Sequence, residues 1–292
     1  MKTSLAKHRS IRKFRSEPIA PEVLQDMLEA ASRASTCGNM QLYSLIVTQS
    51  RELREALAPC HFNQPMVTQA PCVITVCADV HRFSMWCEQR DAEPCYDNFA
   101  WFLNGVTDAL LAAQNLCVEA EAHGLGICYL GTTIYTAEEI ARILDLPKGV
   151  IPVTTIVVGH PDESPELTDR LPLDAVVHCE KYHHYTSSEI DELWAEKETS
   201  EETRRLLEEN GLPNLAQIFT RNRYRAEDNL AISRNYFALL KKQGSSTING
   251  SLETVAGHIR LFAGGARGGV VQCHAQTSRG KLSGAEGDRR SR

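Results

Sequence analysis

Residues 99–122 carry the longest helical pattern of the chain, and this segment limits the possible folds more than any other. Apolar residues recur at helical spacing, and His123-Gly124 follows as a glycine cap would at a helix C-terminus. The residues on or near one face are Trp101, Val106, Leu110, Ala113, Cys117 and Ala120. Because so apolar a helix has to be covered by other elements, the sequence predicts a central, mostly buried helix.

Four short apolar segments predict the strands of a sheet around that helix. They are residues 42–48, 72–78, 127–130 and 153–159. Apolar runs of this length that are rich in β-branched residues are typical of buried strands. Helical patterns at 24–34, 52–58 and 137–144 alternate with them. The alternation predicts layers of helices on one sheet and leaves the α/β and α+β classes open.

The pattern changes after Asp169-Arg170-Leu171-Pro172. Residues 187–210 are rich in Glu, and residues 229–243 carry a sparse apolar stripe, which together predict a polar helical extension on the body or on a second subunit. The last 48 residues hold 9 of the 18 glycines, with 7 basic and 3 acidic residues. Such a composition predicts a disordered or aberrant tail at 245–292.

Charge and cysteine content exclude several classes of function. The net charge is −6, from 31 basic and 37 acidic residues, so we expect neither a nucleic-acid nor a membrane partner. No apolar segment of signal-peptide or membrane-spanning length occurs, which predicts a cytoplasmic protein. The ten cysteines form no C-x-x-C pair, so we expect reduced thiols and no metal site.

Four potentially cationic side chains and a hydroxyl fall within seven residues near the N-terminus. The segment reads HRSIRKF and begins at His8. Guanidinium groups and a hydroxyl supply the charge-assisted hydrogen bonds that a phosphate monoester accepts. Basic segments are often only solvated surface, so phosphate binding requires a second cationic element. Arg170 is the candidate for it.

The order of these motifs along the chain resembles the FMN-dependent nitroreductase family. The motifs are HRSIRKF, STCGNMQ, a long helix ending GLG, then YLG, GHP and DRLP. The resemblance covers residues 7–178 closely and 182–244 loosely, and it is strongest to the branch of oxygen-insensitive nitroreductases and NADPH-flavin oxidoreductases. It implies an α+β, three-layer fold: helices flank a central, mostly antiparallel sheet, and a helical C-terminal extension follows.

The resemblance also implies roles for residues at matching positions. His8, Arg9, Ser10 and Arg12 would hold the ribityl chain and phosphate of FMN, and Arg170 would close on the phosphate from elsewhere in the fold. Gln64 would reach the flavin ring, and the strand end at Tyr129, Leu130 and Gly131 would bring backbone N–H groups to it. Thr168 stands where relatives often have lysine, which predicts somewhat weaker FMN binding.

Two further segments take their roles from the same resemblance. Ser35, Thr36, Gly38, Asn39 and Gln41 match a family loop that crosses a dimer interface to the flavin of the partner. The alternative is a plain polar turn at the end of a helix. Arg223 and Arg225 are candidates for binding NADPH, and a solvated basic face is the alternative there. A homodimer with two interfacial flavins is therefore implied.

The implied activity is that of an FMN-dependent NAD(P)H oxidoreductase. It would take electrons from NADPH or NADH and reduce nitro compounds, quinones or free flavins by ping-pong two-electron transfer. The cofactor carries the chemistry, so no catalytic side chain is predicted. The rival is a non-catalytic FMN-binding or redox-sensing protein, which only the cysteine count supports. We expect an FMN-binding core at 1–180 and the helical extension at 181–244.

Overall fold

Four antiparallel strands form the central sheet of this computed structural model, which describes residues 4–244. The strands are β1 Tyr43–Thr48, β2 Cys72–Asp79, β3 Gly126–Leu130 and β4 Val150–Gly159. Their order is β1-β2-β4-β3, and each neighbouring pair is antiparallel. All eight residues of β2 are buried, which explains why that strand is mostly apolar and does not alternate between apolar and polar residues.

Helices cover both faces of the sheet. The helices are α1 Pro21–Ser32, α2 Arg51–Leu57, α3 Met66–Gln69, α4 His81–Glu88, α5 Phe99–Ala122, α6 Ala137–Ile143, α7 Ser187–Thr199, α8 Glu201–Asn210, α9 Leu215–Ile218 and α10 Ala226–Lys242. On one face, α1 and α5 pack against alternate strand residues that include Ile74 and Ile156. On the other, α3 packs against Val73 and Val157. The predicted α+β fold with a central antiparallel sheet between helices is confirmed.

A bulge at Pro152 explains why β4 begins at Val150, three residues earlier than predicted from the sequence. The register of β2 and β4 shifts between Val76 and Cys77, and Pro152 lies opposite Cys77. Proline has no N–H to donate, so it is tolerated inside a sheet mainly at such irregularities. The helix predicted at residues 99–122 has the bounds of α5, and the Asn98 side chain accepts a hydrogen bond from the backbone N–H of Trp101 at its start.

The N-terminal segment runs along the outer edge of β3 and then the end of β4. Ser10 forms a parallel bridge with Ile127, and Phe14 an antiparallel bridge with Pro161. Two glycines permit this close approach. A Cβ on Gly126 would lie 2.6 Å from Ile11 Cγ1, and a Cβ on Gly159 would lie 3.1 Å from Phe14 Cδ1. The segment therefore lies in a groove that larger residues would close.

The last described helix, α10, packs against the start of β4. The Tyr236 hydroxyl of α10 donates to the Pro152 carbonyl at 2.8 Å, and Leu239 and Leu240 are buried beside Ile151. The Glu-rich stretch is two helices, because Ser200 ends α7 and its side chain accepts the N–H of Thr203 to begin α8.

The tail expected at 245–292 lies outside the described residues. Within residues 4–244, no helix combines the length and apolar character needed to cross a membrane.

Candidate functional site

Ser10 and Arg12 lie beside the Cys128 thiol, at the outer edge of the sheet. Burial raises the pKa of Cys128, while the positive charge of Arg12 and a hydrogen bond with Ser10 both lower it. Cys128 packs with Leu130 on the face of the sheet that α3 covers. Two of the residues predicted to bind phosphate therefore lie next to β3 on one side of the sheet.

His8 and Arg9 of the same segment contact α5 and the segment after β4 instead of Cys128. His8 Nδ1 lies 2.7 Å from Glu121 Oε1, and Arg9 Nη1 donates to Ser164 Oγ at 3.2 Å. Arg9 Nε is buried and has no hydrogen-bond partner among the described residues. Arg9 also lines a cavity of about 250 Å³ that includes Glu121 and Glu163. The unused buried donor of Arg9 favours an anionic ligand, whereas the two carboxylates on the same cavity wall oppose one.

The segment that follows β4 begins next to these residues. Glu163 Oε1 accepts the backbone N–H groups of Arg12 at 2.5 Å and Lys13 at 3.1 Å. Arg170 lies farther along, is exposed, and donates to the carbonyls of Thr168 and Asp169 in its own turn. The structure therefore brings the start of this segment to the basic N-terminal motif, while the predicted contact of Arg170 with a phosphate stays a prediction.

Two turns meet at the end of β3. His61 Nδ1 lies 2.8 Å from Thr132 Oγ1, and the Phe62 and Tyr135 rings stack with centroids 5.9 Å apart. Gln64 follows the first turn, and Gly131 begins the second. A Cβ on Gly131 would meet no atom of residues 4–244 within 4 Å, so no contact within this part of the chain requires glycine at this position. The structure thus brings the turns that carry Gln64 and Gly131 together.

The side chains of Tyr129 and Leu130 point to opposite faces of the sheet. Leu130 belongs to the cluster with Cys128, whereas Tyr129 packs on the α5 side and hydrogen-bonds with Cys117. Burial raises the pKa of Tyr129, and the neighbouring Cys117 raises it further. A role for Tyr129 next to a ligand at Ser10 and Arg12 is therefore limited to its backbone.

The predicted loop at residues 35–41 lies at the start of β1. Ser35, Asn39 and Gln41 are exposed, Thr36 is half-buried, and Gln41 Nε2 lies 3.4 Å from Asn39 Oδ1. Gly38 has a φ of +55°, within the left-handed region that favours glycine. The loop presents its polar groups to solvent in this single chain.

This loop and the N-terminal segment lie at opposite edges of the sheet. β1 is one edge strand, and β3, which Ser10 borders, is the other. Three strand spacings of about 4.8 Å separate these edges by roughly 14 Å. They also lie at opposite ends of the strands. Ser10 bridges to Ile127, which pairs with the end of β4 and so lies near the start of β2. The loop precedes Tyr43, which pairs with Ala78 near the end of β2.

The two arginines proposed for a nicotinamide cofactor lie in the exposed region before α10. Arg223 stacks over the Phe219 ring, with its guanidinium carbon 5.5 Å from the ring centroid. Arg225 binds Asp228 through two hydrogen bonds of 2.7 and 3.0 Å. Arg223 thus lies over an aromatic ring, whereas Arg225 already has a carboxylate partner. Their role in binding NADPH stays a prediction.

Sequence reasoning did not single out His61, Thr132 or Asp108 as site residues. His61 and Asp108 are buried at 0 % and 1 % exposure, and each contacts a predicted ligand-binding segment. The available signal was Asp108, a carboxylate in the middle of the helix at residues 99–122, whose other two carboxylates, Glu119 and Glu121, lie in its last turn. A buried charge requires partners, so its position indicated a fixed set of backbone donors.

Comparisons with known proteins agree with this architecture. The family model described as "Nitroreductase family" matches residues 5–160. A crystallographically solved protein of Bacteroides fragilis is 48 % identical, with a TM-score of 0.82, over 83 % of this chain and 98 % of the other. The NADPH:FMN oxidoreductase of Vibrio harveyi, solved with NAD⁺, is 29 % identical with a TM-score of 0.62, over 72 % of this chain and 91 % of that one.

A relative found by sequence comparison is also named as an oxidoreductase. It is an NADPH-dependent oxidoreductase of Staphylococcus aureus, 36 % identical over 181 residues, which is 61 % of this chain and 72 % of the relative. The matched residues 5–160 include the sheet, α5 and the N-terminal segment, and 13 of the 16 residues predicted to bind a ligand lie in this range. The chain belongs to the nitroreductase family.

Proposed function

We propose that the chain is an FMN-dependent NAD(P)H oxidoreductase that reduces nitro compounds, quinones or free flavins. The observation that carries the proposal is the set of groups at the outer edge and end of β3. A hydroxyl and a guanidinium, from Ser10 and Arg12, border the strand, and Gly131 faces open space at its end. These are the groups required by a ligand with a phosphate at one end and a planar ring at the other.

The residues present fit such a ligand. Arg9 has a buried Nε with no partner among the described residues, which an anionic oxygen would satisfy. The space beside Gly131 allows a flat ring to approach the backbone, and the turn carrying Gln64 lies next to it. Ser10, Arg12 and Arg9 would hold the ribityl phosphate, while Gln64 and the backbone of residues 130–131 would border the ring.

The complete site requires two chains under this proposal. The loop of residues 35–41 cannot reach Ser10 within one chain, because the two lie at opposite edges and opposite ends of the sheet. Contact of both segments with one flavin therefore requires the loop of a second copy. A homodimer related by a two-fold axis provides two such sites.

The chain's own residues would position two substrates in succession. The flavin that these residues would hold would supply two-electron transfer chemistry between a nicotinamide donor and the acceptor. Arg223 would bind the nucleotide phosphate, and Phe62 stacked on Tyr135 would supply an apolar wall next to the ring. The names of the Vibrio harveyi and Staphylococcus aureus relatives support NADPH as donor.

The cysteines give little support to the rival function of redox sensing. Burial raises the pKa of Cys72, Cys77 and Cys117 to about 12, so their reactive thiolate forms are scarce near neutral pH. Burial also raises the pKa of Cys60 and Cys128. These thiols are small apolar residues of the core. These five cysteines therefore do not favour a sensor over an enzyme, and support for a sensor is left to the exposed Cys95 and Cys179.

The test is the visible absorption of the purified protein before and after anaerobic addition of NADPH and then NADH. The proposal expects a flavin spectrum, release of FMN on heating at about one per subunit, rapid bleaching by the nicotinamide, and reoxidation by a quinone. Recovery of FAD, or no flavin after reconstitution, would overturn the cofactor assignment. Bound FMN that neither nicotinamide reduces would overturn the enzymatic assignment.

A further inference from the structure

The loop of residues 35–41 contains three residues in the left-handed region of backbone conformation. Gly38, Asn39 and Gln41 have φ values of +55°, +56° and +54°. Glycine and asparagine tolerate this region, whereas it is unfavourable for Gln41. Contacts from outside the loop are therefore needed to hold Gln41 in this conformation.

Asp108 of α5 supplies that support from inside the protein. Its Oδ1 accepts the backbone N–H of Cys37 at 2.9 Å, and its Oδ2 accepts the N–H of Leu42 at 3.0 Å. One carboxylate therefore closes both ends of the turn. The side chain is 1 % exposed, so water does not compete for either oxygen.

The helix lies close enough to the strand for this contact because of a glycine. A Cβ on Gly105 would lie 3.1 Å from the Leu42 carbonyl oxygen and 3.1 Å from Ala78 Cβ. On the outer side of the loop, Arg82 Nη2 donates to the carbonyls of Gln41 and Tyr43. Asp108 thus holds the backbone N–H groups at both ends of the loop from the core, and Arg82 holds the Gln41 carbonyl from the surface.

We propose that Asp108 is a positioning residue for the flavin site: its carboxylate fixes residues 37–42 in the left-handed shape that presents Asn39 and Gln41 to the flavin of a partner chain. This inference rests on the proposed function. Asp108 itself touches no ligand, because both of its oxygens face backbone N–H groups inside the chain. Its effect on FMN is exerted through the loop and on the neighbouring subunit's site.

Asp108→Asn is the decisive variant, because it keeps size and shape but replaces one acceptor oxygen with a donor. Both partners are N–H donors, so one end of the loop loses its acceptor and meets an NH₂ group. Leu116→Ala is the matched control. It removes buried packing from the same helix two turns away without touching the loop.

The first measurement is amide hydrogen exchange of the flavin-free protein. We expect Cys37 and Leu42 amides to exchange at least tenfold faster in Asp108→Asn and at the unsubstituted rate in Leu116→Ala. Unchanged exchange at both amides in Asp108→Asn would overturn the inference, whatever the protein binds. FMN titration is the second measurement, with a Kd at least tenfold higher expected for Asp108→Asn only.

Mixed dimers test which subunit's site the loop serves. Each site is proposed to use Arg12 of one chain and the loop of the other. In a dimer of one Asp108→Asn chain and one Arg12→Ala chain, one site therefore has Arg12 from the Asp108→Asn chain and an intact loop from the Arg12→Ala chain. The other site carries both substitutions. We expect one FMN site per mixed dimer with the unsubstituted affinity. Two equally weakened sites would overturn action on the partner. Absence of FMN from the unsubstituted protein would instead overturn the proposed function, and amide exchange would still report whether Asp108 holds the loop.

Discussion

His61 Nδ1 lies 2.8 Å from Thr132 Oγ1 in the interior of the protein, and this contact joins the turn before Gln64 to the turn that begins at Gly131. The imidazole is fully buried, and its Nε2 has no partner among the described residues. Burial lowers the pKa of His61 from 6.5 to about 4. The ring is therefore neutral at physiological pH.

This pKa predicts a loss of stability in acid. Between pH 6.5 and 4 the unfolded chain holds a proton on His61 that the folded chain does not, so protonation favours unfolding as pH falls. The contribution is fully present above pH 6.5 and declines by about 3 kcal/mol toward pH 4, at about 1.4 kcal/mol per pKa unit.

Urea unfolding of flavin-free protein at pH 5 and pH 7.5 measures that loss. His61→Gln removes the titrating group. The difference in unfolding free energy between pH 7.5 and pH 5 should therefore shrink by about 2 kcal/mol, because about 1.5 pH units of the range in which His61 titrates lie above pH 5. Gln69→Ala, at an exposed position of α3, is the control, because it removes no titrating group and should leave the difference unchanged. An equal pH dependence in His61→Gln would contradict the assignment.

Gly131→Ala separates ligand binding from folding. The added methyl would meet open space in the protein, so the free energy of unfolding should change by less than about 0.5 kcal/mol. In the ligand-bound state the same methyl would meet the flavin, and the FMN Kd should rise. Gly126→Ala is the contrast. Its methyl would lie 2.6 Å from Ile11 Cγ1, and we expect it to lower stability by about 1–3 kcal/mol. Calorimetry of apoprotein with FMN titration measures both effects.

Arg12→Ala should weaken FMN binding by about 1.5–3 kcal/mol, the range for a hydrogen bond to a charged group. The fold should survive, because the structural bonds of this residue run through its backbone N–H to Glu163. Arg142→Ala, which removes an exposed arginine paired with Glu139, is the matched control. Flavin titration at one salt concentration decides the matter. Equal affinities for the two variants would remove Arg12 from the phosphate site.

Thiol labelling of the native protein should be confined to a few cysteines. Cys95 and Cys179 are exposed and should react within minutes. Cys72, Cys77 and Cys117 are buried, with pKa values raised to about 12, and should react only on unfolding. Peptide mapping by mass spectrometry reads each position separately. Rapid native labelling of any of the three would show that the core opens readily.

The periodicity of the sequence predicted the central helix and the buried strands, because those elements depend on local apolar pattern. It did not predict the contacts between Asp108 and residues 37–42, or between His61 and Thr132, since each joins residues far apart in the chain. Proximity in sequence suggested that the cations of residues 8–12 share one target. The structure gives His8 a carboxylate partner on α5 and Arg9 a hydroxyl partner after β4.

The bridges from Ser10 to Ile127 and from Phe14 to Pro161 have a consequence for biosynthesis. The N-terminal segment leaves the ribosome before every strand of the sheet, yet its partners, β3 and the end of β4, are made last among the elements of that sheet. Until residue 161 has emerged, Ile11 and Phe14 lack the surfaces that bury them. The groove for this segment can therefore close only late in translation, and a ribosome that stalls before β4 leaves a nascent chain with an exposed sheet edge, a state prone to aggregation.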